Sequence, residues 1–158
     1  MRTVITKDIS QFPDFKNQLL HWANRHREVV FLDSNAYNQK YSSYDSVLAI
    51  DAFTSIKTDY ENAFQDLYQY QSQTKDWLFG YLSYDLKNDT EDLQSNNFDG
   101  LDFPDLFFFQ PKKLFLIKQN IFQHLLIHVL LVSLNYIFRH IGYYILQHTS
   151  IVLCEKFG

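Results

Sequence analysis

Glycine, proline and cysteine are scarce in this chain of 158 residues, with 4, 3 and 1 occurrences. So few turn-formers argue against an all-β fold with many tight connections. The single cysteine, Cys154, excludes an internal disulfide and leads to the expectation of a reducing, cytoplasmic setting. The opening residues, MRTVITKDIS, lack the apolar core of a secretion signal. Positive charge is also short: 14 basic against 18 acidic residues give a net charge of -4. No nucleic-acid partner is expected, because neutralising phosphates needs a basic face. From residue 119 onward formal charge almost vanishes, leaving only Arg139, Glu155 and Lys156. That same stretch holds His124, His128, His140 and His148, so composition breaks sharply between 118 and 119.

What the chain has in quantity is apolar surface. Hydrophobic residues make up 46% and aromatic residues 18%, enough for one domain with a substantial core. Residues 77–86, WLFGYLSYDL, are apolar on both faces when read with a period of two. This predicts a central strand covered on both sides, with a close backbone neighbour at Gly80. Upstream, residues 2–7 favour extended backbone. Phe15, Leu19, Trp22 and Ala23 recur at helical spacing, which predicts an amphipathic helix over 13–27. Strands are expected over 28–33 and 44–52, the latter with a possible continuation through FTSIK. Thr58 and Glu61 have capping-box spacing, and Tyr60, Phe64, Leu67 and Tyr68 form one stripe, so a second helix is expected to about residue 73. The acidic stretch around Gly100 lacks the alternating oxygen ligands of a calcium loop and reads as solvated. Beyond it lie two apolar runs, 106–109 and 114–117. Pro111 between them predicts two short strands or one bent strand at a sheet edge. The resulting fold class is α+β, a mostly antiparallel sheet with packed helices.

Four segments in order, FLDSN, YDSVLAI, WLFGYLSYDL and FPDLFFFQPKKLFLI, resemble the N-terminal region of the chorismate-using enzymes. The resemblance is to anthranilate synthase component I and, more closely, aminodeoxychorismate synthase component I, over about residues 30–118. It implies an incomplete half of an interleaved α/β sandwich. The full-length enzyme makes the para-aminobenzoate precursor of folate biosynthesis, using ammonia from a glutamine amidotransferase subunit. The family has an effector-binding motif ending in Leu-Glu-Ser, and Leu32, Asp33 and Ser34 occupy the matching positions; Ser34 is equally a turn-former after a strand. Ser43 stands where the family often has arginine. The family's catalytic and magnesium-binding residues belong to a C-terminal part that nothing after Lys118 resembles. No catalytic residue, metal ligand or cofactor is therefore expected in this chain. An anthranilate-type, tryptophan-binding effector domain is the alternative within the family.

The division expected is a component I-like domain over 1–118 and an apolar, helical tail over 119–158. Residues 121–138 carry no formal charge and approach the length of about 20 residues needed for a membrane-spanning helix. A non-enzymatic α+β binding module tethered to a membrane is the reading this supports. On such a helix His124 and His128 share a face at metal-ligand spacing, without a recognisable third ligand. A truncation, or a frame change in the gene after Lys118, would also give uncharged sequence with no family resemblance.

Overall fold

The computed structural model describes residues 2–37, 43–59, 61–91, 100 and 103–127. In chain order these form β1 (Arg2–Asp8), α1 (Phe15–Ala23), β2 (Val29–Asp33), β3 (Ser46–Thr58), α2 (Ala63–Thr74), β4 (Phe79–Leu82), a short 3₁₀ helix (Tyr84–Asp89), β5 (Leu106–Lys118) and β6 (Ile121–Ile127). The fold is α+β. All strand pairs are antiparallel, in the order β1-β6-β5-β3-β2, with β4 paired to β5.

The strand at the centre is β5, not residues 77–86. One edge of β5 pairs with β3 over nearly its whole length. Its other edge is shared, Leu106–Phe109 facing β4 and Lys113–Lys118 facing β6. Pro111 falls in the gap between those two partners, where its carbonyl accepts a 2.7 Å hydrogen bond from Arg2 Nη2. N–H and C=O of one residue in a strand point to the same side, so the missing proline donor faces the gap and breaks no ladder bond. Opposite Pro111 the β3 register shifts between Ala52 and Thr54, leaving Phe53 as the extra residue of a bulge. A proline thus sits inside a continuous 13-residue strand.

The sequence 77–86 instead yields four strand residues. Ser83 ends β4, its N–H bonded to the Asp105 carbonyl and its hydroxyl donating to Asp105 Oδ1 at 2.6 Å. The close neighbour expected at Gly80 is present: a Cβ there would collide with the Phe107 carbonyl oxygen and lie 2.7 Å from Phe108 Cα. The capping box does not form. Thr58 ends β3, α2 starts at Ala63, and the Phe64 N–H is satisfied by Asp89 Oδ2 at 3.2 Å. Phe64 and Tyr68 are exposed, so the predicted stripe is only partly a core face; Leu67 packs beside Ala63, Leu86 and Leu106.

The helical expectation for the tail is corrected over Ile121–Ile127, which form β6 and pair with β1 and β5 in unbroken register. An uncharged apolar run has no period that separates a helix from a doubly buried strand, and here two partner strands decide the outcome. The composition break at 118–119 therefore lies within a hairpin of the sheet. His128, Cys154 and the rest of 128–158 lie outside the described residues, as does Tyr60. Among the described residues no helix is long and apolar enough to cross a membrane.

The main core lies between α1 and one sheet face. Phe15, Leu19 and Ala23 pack on Leu48, Ile50, Phe115, Ile117 and Phe122. Phe122 meets Phe15 edge-on at 4.9 Å and Phe115 in a stack at 5.6 Å. On the other face Ala49, Phe79, Phe109, Leu114 and Leu116 form a second buried cluster. At the β5 gap, Arg2 Nε reaches both oxygens of Asp76 at 2.8 and 3.0 Å, and Gln110 Nε2 binds the same carboxylate at 2.7 Å. Burial raises the Asp76 pKa, but hydrogen bonds from Arg2, Gln110 and the Trp77 amide outweigh it and leave the carboxyl below its ordinary value.

Two substitutions test this arrangement. Gly80→Ala should cost about 1–3 kcal/mol, because backbone rather than a flexible side chain must move. Asp76→Ala should cost about 1.5–3 kcal/mol by leaving a buried guanidinium short of partners. Wild-type stability from Asp76 should hold above the ordinary carboxylate pKa and decline as pH falls through its lowered value. Urea unfolding across pH checks both substitutions.

Candidate functional site

At one end of the sheet, the start of α1, the end of β2, the start of β3 and the β5–β6 turn converge. β2 must end at Asp33 because Asn35 and Ala36 take positive φ values of 49° and 57°, which an extended strand does not allow. The turn is secured by backbone bonds from Tyr37 N–H to the Ser34 carbonyl and from Ser34 N–H to the Asp45 carbonyl, both 2.9 Å. Across the sheet, β5 and β6 are joined by Gln119 and Asn120. The Asp45 carboxylate accepts from the Gln119 amide, and the Asn120 carbonyl accepts from Ile9 N–H at 2.8 Å.

These segments enclose an open cleft of about 710 Å³. Phe12, Phe15 and Ile117 supply apolar wall, and Lys16, Asp33 and Asp45 supply charge. Asp33 is the polar hub. Its Oδ2 accepts from Lys16 Nζ at 2.7 Å, and its Oδ1 accepts from the Asn35 amide at 3.2 Å and the Ser46 hydroxyl at 3.3 Å. The Lys16 hydrogen bond, only partly offset by burial, holds the Asp33 carboxyl below its ordinary pKa. The carboxylate is thus ionised at neutral pH, and Lys16 is reachable from solvent. A cationic and an anionic group side by side above an apolar wall suit a small zwitterion with an apolar side chain.

Of the three residues singled out from the sequence, Asp33 and Ser34 line this cleft. Leu32 does not; it is 55% exposed and borders a smaller depression of about 280 Å³ with Asp33, Ser34, Tyr44 and Val47. The inversion follows from strand alternation, which sends Leu32 and Asp33 to opposite faces. Lys16, Asp45 and Ser46 were not legible as site residues, since they meet Asp33 only through tertiary packing. Among the described residues no three His, Cys, Asp or Glu side chains are placed to hold a metal ion.

If the Lys16–Asp33 pair serves binding rather than folding, Asp33→Asn should change the unfolding free energy by less than about 1 kcal/mol, as expected for a solvent-screened pair. Its small contribution should be lost as pH falls below the ordinary carboxylate range. Denaturant titration at pH 7 and pH 3 measures both.

Compared with models of known protein families, the chain matches none, and no curated protein matches it.

Proposed function

We propose that this chain is the N-terminal region of an aminodeoxychorismate synthase component I-like protein and does not turn over chorismate on its own. The observation that carries the reading is one of order. The four segments that resemble the family become β2, β3, β4 with its 3₁₀ helix, and β5, so a linear pattern corresponds to neighbouring pieces of one sheet. In this reading the sheet is half of an interleaved sandwich. Chorismate and magnesium are bound by carboxylates of the remaining half, a glutamine amidotransferase subunit supplies ammonia, and the setting is cytoplasmic. Purified chain given chorismate, ammonia and magnesium should produce no aminated product above background; steady turnover would contradict the proposal.

The cleft supports a second role for the same region, binding of an amino-acid effector as in the anthranilate branch. Asp33 is suited to accept an ammonium, Lys16 to donate to a carboxylate, and Phe12 and Phe15 to contact an apolar side chain. Tryptophan titrated to millimolar concentration should give a saturable heat by calorimetry, reduced at least tenfold in affinity by Asp33→Ala. No heat with the wild-type chain would count against this role and leave the first reading standing.

A further inference from the structure

His124 occupies the middle of β6, opposite Ile5 of β1 and Phe115 of β5. Its side chain is fully buried, with 0% exposure, and its ring stacks on Phe115 at 4.4 Å and 24°. Neither ring nitrogen has a hydrogen-bond partner among the described residues. A neutral imidazole brings one donor and one acceptor, and both are left unsatisfied in an apolar layer. Among the described strand residues, it is the buried side chain whose polar atoms are left without a hydrogen-bond partner.

The charged surroundings make a proton on this ring still less tolerable. On β5, Lys113 is the diagonal neighbour on the same face, two residues from Phe115. Its ammonium is engaged by Asp51 Oδ2 at 3.2 Å and lies 5.4 Å from the Trp22 ring centroid. The other Asp51 oxygen contacts His26 Nδ1 at 3.0 Å, so the carboxylate nearest in the network is already shared. β1 adds Lys7 on that face, opposite Phe122. The apolar side chains that α1 adds to the cluster around Phe115 are Phe15, Leu19, Leu20, Trp22 and Ala23. A histidinium at 124 would place a buried cation near the half-buried Lys113, with no carboxylate of its own among the described residues.

We infer that His124 is an acid-sensitive latch in the sheet: the neutral ring is compatible with the closed β1-β6-β5 arrangement, and its protonation destabilises that arrangement. The β5–β6 hairpin also supplies Ile117, Gln119 and Asn120 to the cleft, so the cleft shares this acid sensitivity. Burial first, and Lys113 second, lower the ring's pKa from 6.5 to about 4. Between those two values the open state binds a proton that the closed state does not, so closure is complete above pH 6.5 and weakens as pH falls toward 4.

Urea unfolding of the full chain between pH 7 and pH 4.5 tests the latch, comparing wild type with His124→Phe, which keeps the ring stack and removes both unpaired nitrogens. The wild-type unfolding constant should rise by about 40-fold between pH 6.5 and pH 4.5 more than that of the variant. Equal pH slopes in the two proteins would overturn the inference. A readout independent of any variant is the proton NMR titration of the six histidine rings of the wild-type chain. A ring in contact with Phe115 that is still neutral at pH 5 supports the latch, whereas all six rings titrating near 6.5 would overturn it.

Discussion

The rest of the structure depends on β5 being paired along both edges. On one side it holds β3, and through it β2; on the other it holds β4 and then β6, and through β6 the N-terminal strand. Both hydrophobic layers are anchored on it, with Phe115 and Ile117 facing α1 and Leu114, Leu116 and Phe109 facing the second cluster. A strand shared in this way needs one place where neither of its second partners reaches. The proline is there, with Arg2 and Asp76 closing the opening.

That arrangement also places the cleft. Because β2, β3 and the β5–β6 turn end at the same level, Asp33, Asp45, Ser46 and Asn120 come together although they are up to 87 positions apart in the chain. α1 brings Lys16 over them from above, and the leucine and phenylalanine face that holds the helix down is the same one that fixes where Lys16 points. Packing energy here does the positioning, while the ion pair itself is too exposed to hold the fold together.

Local patterns were legible where one partner sufficed. The helical spacing of Phe15, Leu19 and Ala23 indicated α1 and its buried face, and the β-branched runs indicated β2 and β3. Glycine 80 signalled the close approach of β5. Global rank was harder to read. The apolar faces of 77–86 suggested the middle of a sheet, yet β4 has a single partner, and Pro111 suggested an edge although β5 is central. Both inversions arise because a strand's rank is set by which neighbours arrive, and proline is excluded only where a ladder bond is required. The same holds for 121–127, where two strands impose extended backbone on a run of residues equally fit for a helix. In the site, Asp33 and Ser34 were visible through a resemblance, while Lys16 and Asp45 had no signal at all in the linear chain.

The sheet depends on β6 lying between β1 and β5, and amide hydrogen exchange at neutral pH tests that placement. The amides of Ile121–Ile127 that bond to either neighbour should exchange as slowly as those of β5, in the slowest class of the protein. Exchange of that segment at the rate of an unprotected chain, with β5 still protected, would contradict the sheet described.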